Sequence, residues 1–267
     1  MKTLRTMLRT ARGRVGSVNK SVKEKVNLSR RSKCCYLCQK TFASFRPFRD
    51  GWNSLSPFIR ELEVVGSDVE NFACPNCGCH DRTRHLVMYF DALNLWDRFR
   101  EAAVLHIAPE SHLAERIYQH APKLYVRGDL APDPGTEMLD VTAIPYPAYH
   151  FDFVVCNHVL EHVLDDRRAC SELFRVTKQG GCAVLQTPYS PVLQNSFVDP
   201  AIDTDALRNR YYAQEDNVRL YGRDLFARIT EAGFRLDLKT HRECLSGFDS
   251  SYYGVNPAEE LIFAVKE

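Results

Sequence analysis

The stretch AVLHIAPESHL, residues 103–113, decides how the rest of the chain is read. It predicts a short strand ending at Ile107 and a helix opening near Ser111, with Ala108, Pro109 and Glu110 as the joint between them. In sheets wound from strand–helix units, nucleotide-like ligands bind at such a joint, commonly against glycines that let the backbone approach closely. This joint contains no glycine. The sequence therefore asks whether the joint still holds a ligand or only connects two elements.

Outward from it the pattern is regular. HLAERIYQH (112–120) reads as a helix, LYVRGDL (124–130) as a strand, TEMLDV (136–141) as a short strand and FDFVVCN (151–157) as a buried one. DDRRACSELFRVT (165–177) reads as a helix ended by Gly180 and Gly181, followed by the strand CAVLQTP (182–188). GRDLFARITEAGF (222–234) is a helix with Gly233 at its C-terminal end, and EELIFAVKE (259–267) closes the chain as a strand. Upstream, RTRHLVMYFDALNLWDRFR (82–100) reads as one helix with Leu86, Phe90, Leu93 and Trp96 on a single face. The alternation predicts an α/β fold, a doubly wound, Rossmann-like and mostly parallel sheet.

The totals are those of a globular protein, with 267 residues, 45% hydrophobic and 26% charged. No apolar run approaches the ~20 residues of a membrane span, and no secretory h-region is present. The net charge of +1 hides an asymmetry, because residues 1–33 carry +10 and the remainder −9. Leu4, Leu8, Ala11, Val15, Val18 and Val22 place an apolar stripe along that basic arm. Such a segment suits an anionic membrane surface or RNA, or else is a disordered basic tail. The expected location is cytoplasmic, with peripheral membrane contact through the arm as an option.

Ten cysteines without an export signal point to a metal rather than to disulfides. Cys35-x-x-Cys38 and Cys74-x-x-Cys77 can offer four thiolates to one tetrahedral ion, which predicts a closed, structural Zn2+ site. Cys34, Cys79 and His80 are adjacent spare ligands, and a redox C-x-x-C is the lesser rival. The long interval between the pairs must form an excursion of its own. The expected organisation is a basic arm over 1–33, a zinc ribbon over 34–80 and an α/β domain over 81–267.

Polar residues gather where the strands end: Asp129 in RGDL, Asp140 in MLDVT, and Asn157–His158 after FDFVVC. With LDVTAIPYPAYHFDFVVCNHVLEHV (139–163), LFRVTKQGGCAVLQTP (173–188) and VRLYGRDLFARITEAGF (218–234), the chain resembles the class I S-adenosylmethionine-dependent methyltransferases. CPNCGCHDRTRHL (74–86) and LHIAPESHL (105–113) resemble a subgroup with an N-terminal ribbon and LHIAPE in place of the glycine-rich motif. The resemblance implies S-adenosylmethionine as cofactor, bound by His106, Ala108, Glu110, Asp129, Leu130, Asp140, Val141 and Asn157. Asp129 would accept ribose hydroxyls, a carboxylate near the third strand the adenine amino group, and Glu110 the cofactor's cationic amine. LAPDPGTEMLD (130–140) departs from the usual pattern, being too short for an intervening helix.

His158 is the candidate general base for a hydroxyl or amine acceptor, beside the plainer reading of a structural histidine. HVLEH (158–162) also spells a zinc-protease pattern, which requires both histidines on one helix. YYAQEDNVRLYG (211–222), with Tyr212, Asn217, Arg219 and Tyr221, is a candidate substrate lid or an ordinary surface loop. The expected activity is methyl transfer to a glycan, a lipid-linked intermediate or another metabolite, with O-methylation favoured. One alternative is an RNA methyltransferase whose arm and Arg82–Arg84–His85 cluster touch phosphates. The other is an inactive, zinc-bearing binding module.

Overall fold

The computed structural model describes residues 32–267, so the stripe expected over the basic arm lies outside the described residues. β1 (Lys33–Cys34) and β2 (Thr41–Phe42) form a small antiparallel ribbon, and α1 (Pro57–Glu61) follows it ahead of the main domain. The main sheet is built from β3 (Ala103–Ile107), β4 (Leu124–Asp129), β5 (Glu137–Met138), β6 (Phe151–Cys156), β7 (Thr177–Val184), β8 (Arg235–Lys239) and β9 (Leu261–Val265). Its order is β5-β4-β3-β6-β7-β9-β8. β5 through β7 run parallel, and β9 alone is antiparallel to its neighbours β7 and β8. The order reverses between β3 and β6, which opens a crevice at their carboxyl ends.

Side chains alternate across the strands and so divide into two cores. Leu105, Ile107, Val154 and Ala183 face one side, under α4 (Asp166–Val176) and α6 (Asp224–Glu231), where they meet Leu173 and Ile229. Val104, Phe153, Val155 and Val184 face the other, against α2 (Asp81–Ala92) and α3 (Ser111–Gln119), where they meet Leu86, Phe90, Leu113 and Ile117. Burial on both faces explains why these strands read as unbroken apolar runs. No helix lies between β4 and β5, as the short interval predicted. Among the described residues no helix is long and apolar enough to cross a membrane.

Three boundaries differ from the sequence reading. The helix expected over 82–100 ends at Ala92; Asn94 turns it with a φ of 52°, and Leu95–Arg98 form a separate 3-10 turn. Gly180 and Gly181 do not separate helix from strand, because β7 begins at Thr177 directly after α4. Gly180 has a φ of 74°, and a Cβ on Gly181 would stand 2.8 Å from the Lys178 carbonyl oxygen and 3.0 Å from that of Asp152. The glycines therefore mark an irregular start to β7, where its register against β6 shifts. β8 was not foreseen, since RLDLK is polar and its strand lies at the sheet edge.

Arg84 fastens the ribbon to this domain. It is fully buried and donates to the carbonyls of Asn71, Phe72, Cys79, Tyr253 and Gly254 at 2.5–3.2 Å, with its guanidinium 3.9 Å from the Phe45 ring centre. His85 is buried too, bonded to Glu259 and His241. Neither is available to a phosphate, which removes the core of the cluster that the RNA reading needed. Arg84→Met should cost about 3 kcal/mol or more, because several buried carbonyls lose a charged donor together. Urea denaturation of wild type and variant checks this.

Candidate active site

Ala108 makes the joint after β3 with a φ of 46°, the left-handed conformation that glycine usually supplies. Its N–H donates to the Gly128 carbonyl at 2.8 Å, which ties the turn to the end of β4. The chain thus keeps the glycine-type backbone at a cost of roughly 1 kcal/mol. In front of this turn lies a cavity of about 510 Å3, lined by Ile107, Ala108, Asp129, Leu130, Asp140, Val141 and neighbours from the loop after β6. Asp129 and Asp140 stand at its rim. Asp129 Oδ1 accepts from the Ala131 N–H, and Asp140 Oδ1 from Thr142 N and Oγ1, so each carboxylate is held by its own loop. These bonds use one oxygen of each carboxylate and leave the other for a ligand.

His106, Glu110 and Asn157 take a different place from the one expected. They form a hydrogen-bonded group outside the lining of that cavity. His106 is fully buried, with Tyr125 Oη 2.9 Å from Nδ1 and Glu110 Oε2 3.1 Å from Nε2. Asn157 Nδ2 donates to the other Glu110 oxygen. Burial opposes the charge on Glu110, but the His106 hydrogen bond holds its pKa below the usual carboxylate value. An ionised carboxylate only accepts, so Nε2 of His106 donates to Glu110. Glu110 is thus held between a buried histidine and Asn157, set back from the lining of the cavity beside Ala108.

His158 lies at the wall shared by two cavities. The second, of about 300 Å3, is lined by Phe48, Leu55, Phe72, Arg82, Glu161, Asn217 and Arg219 among others. His158 has a φ of 53° and sits between carboxylates, with Nδ1 3.3 Å from Glu161 and Nε2 3.9 Å from Glu259. Burial and the Arg82 charge disfavour its protonation, yet the pull of Glu161 and Glu259 prevails and raises its pKa to about 9. At neutral pH it is an imidazolium, which is the wrong charge state for the base expected from the sequence. The protease pattern fails as well, since His158 precedes the short 3-10 turn Leu160–His162 and shares no helix with His162.

The segment 211–222 is neither a loose loop nor a free lid. Tyr212, Asn217, Arg219 and Tyr221 are all buried. Arg219 pairs with Asp166 at 2.5 Å, and Tyr221 Oη donates to Asp166 at 2.8 Å. α5 (Asp205–Tyr212) brings Tyr212 to the second cavity, whose opposite wall comes from the excursion between the cysteine pairs. Sequence reasoning missed that role for residues 48–72. The signal was the length of the interval, far more than a ribbon needs.

Cys35, Cys38, Cys74 and Cys77 converge, with all four sulfurs within 4.8 Å of one another. Cys35–Cys77 and Cys38–Cys74 are each separated by 3.8 Å. Tetrahedral bonds of about 2.3 Å place neighbouring sulfurs about 3.8 Å apart, so the donor set fits zinc. N–H groups of Asn76 and Cys77 point to the Cys74 sulfur at 3.4 Å, and Gly78 turns the knuckle with a φ of 79°. Of the spares, Cys79 lies 3.3 Å from the Cys35 sulfur, whereas His80 stacks on Phe72 and faces the second cavity.

Residues 90–185 match the methyltransferase domain family. This match spans β3 to β7 and contains the crevice. Among solved structures, the chain is similar to an S-adenosylmethionine-dependent methyltransferase from Mesorhizobium loti at 14% identity, covering 66% of this chain and 95% of that one with a TM-score of 0.48. It is also similar to one from Archaeoglobus fulgidus at 15% identity, covering 68% and 94% with a TM-score of 0.44. No curated protein matches the chain.

The charge on His158 gives the α/β domain a pH signature. A folded-state pKa of about 9 against an ordinary 6.5 means that its stabilising contribution is full below pH 6.5 and disappears as pH rises through 9. His158→Gln should therefore be less stable than wild type at pH 6.5, with the gap closing above pH 9. Denaturation curves at both pH values check the sign.

Proposed function

We propose that the chain transfers a methyl group from S-adenosylmethionine to a small-molecule acceptor, with the larger cavity holding the cofactor and the smaller one the acceptor. The observation that carries this reading is the pair of cavities meeting at His158, one at the carboxyl ends of β3 and β4, the other walled by the excursion and by 212–220. The larger cavity lies within the usual range for cofactor sites and has apolar walls with two carboxylates at its rim. Asp129 and Asp140 would hold the ribose hydroxyls and the adenine amino group, Leu130 and Val141 would pack on the base, and the Ala108 turn would lie under the amino-acid part. The cofactor supplies an activated methyl on a sulfonium, so the protein's work is to orient the acceptor and exclude water.

A metabolite or the end of a glycan suits a cavity of about 300 Å3 better than a nucleic-acid duplex. O-methylation remains the favoured outcome. The test is calorimetric titration of S-adenosylmethionine into the zinc-loaded chain. Binding should be micromolar and should weaken by about tenfold or more in Asp129→Ala, the effect of one lost charge-assisted hydrogen bond. Absence of binding to folded wild type rejects the reading in favour of a binding module.

The four cysteines would hold Zn2+ as a structural ion, with no ligand position left open. Because residues 48–72 are strung between the two pairs, the metal would also set the wall of the acceptor cavity. Elemental analysis should find about one zinc per chain, and Cys77→Ser should lose it together with several kcal/mol of stability.

A further inference from the structure

The smaller cavity carries an unusual concentration of unmet polar groups. Arg82 Nε, His158 Nε2, Glu161 Oε2, Asn217 Oδ1 and Arg219 Nε are each shielded from solvent with no hydrogen-bond partner, and all five residues line this one space. Buried polar atoms are nearly always partnered, so the cluster marks where a ligand's own groups belong. The charges among them are not balanced. Arg219 is matched by Asp166 and Glu161 by His158. Arg82 has no carboxylate within ion-pair distance, and its side chain makes no hydrogen bond among the described residues. Its guanidinium sits at the second residue of α2, where the helix N-terminus adds positive potential. Beside it the wall turns apolar and aromatic, with Phe72 stacked on His80 and packed 5.0 Å from Phe48, and Leu55 and Ile59 completing the surface.

We propose that this cavity takes a small organic acid, its carboxylate against Arg82 and the His158 ring edge and its planar apolar body against Phe48 and Phe72. The inference deepens the acceptor-site reading and rests on it for biological meaning, but anion binding here does not require the cofactor. A planar carboxylate suits the guanidinium fork, and a charged His158 donates rather than accepts. Glu161 Oε2 and Asn217 Oδ1 remain as acceptors for a hydroxyl on the same ligand.

The experiment titrates the full zinc-loaded chain with benzoate and cinnamate, and separately with benzamide and cinnamamide, which keep the shape and lose the charge. The acids should bind and the amides about tenfold more weakly, with Arg82→Met erasing the difference and Arg82→Lys retaining part of it. Melting curves and zinc content establish that the variants are folded. If either variant fails to fold, the acid–amide comparison on wild type decides alone. Equal binding of acids and amides overturns the proposal, as does no binding of either acid up to about 10 mM, or unchanged acid affinity in folded Arg82→Met. S-adenosylmethionine titrated into the same samples separates the two ideas, since loss of cofactor binding with retained acid binding rejects only the methyltransferase assignment.

Discussion

A single buried carboxylate gathers the working end of this molecule. Glu259 precedes β9, the strand that runs against the others, so its position falls at the same edge as the carboxyl ends of the parallel strands. There it meets His85 from α2 at 3.2 Å, Gln186 from the end of β7 at 3.3 Å, and His158 from the loop after β6 at 3.9 Å. Its own carbonyl accepts from Tyr89. Burial works against its charge, but the His158 and His85 interactions prevail and hold its pKa at about 2. A carboxylate kept ionised inside a protein needs partners on several sides, and removing one leaves the rest uncompensated. The helix that leads from the ribbon, the loop between the cavities and the antiparallel strand are thereby locked to one another.

The cysteine pairs extend that lock outward. Between them the chain leaves the ribbon, bridges Val65 to Tyr189, and packs Ile59 against Tyr212 and Leu220. The return strand enters α2, where Arg84 closes the loop on backbone carbonyls. A cluster of four cysteines, a buried arginine and a buried carboxylate therefore lie along one path, and the smaller cavity is bordered by this path. The segment between the cysteine pairs thus supplies a cavity wall that the sheet and its helices do not.

Much of this was legible in the sequence where periodicity was strong. β3, β4, β6 and their helices follow from apolar runs and alternation, and the cysteine quartet from spacing. Asp129, Leu130, Asp140, Val141 and Ala108 come together at one cavity because strand ends in such sheets converge on the crevice. What was not legible depends on partners distant in the chain. The commitment of Glu110 to His106 requires knowing that His106 is fully buried and must be satisfied. The charge of His158 depends on Glu259, about a hundred residues away, and the burial of Arg84 on carbonyls from both ends of the chain.

The charge state of His158 then constrains the chemistry. A histidine held protonated by two carboxylates cannot accept the proton of an alcohol or amine at neutral pH, and the lowered pKa of Glu161 makes it a weak base. Neither group is free to deprotonate a ligand, whereas His80 at the same cavity is kept neutral by burial, which lowers its pKa. The unpaired guanidinium of Arg82 and the imidazolium of His158 give this wall of the smaller cavity a positive potential, set by the same interactions that lock the fold.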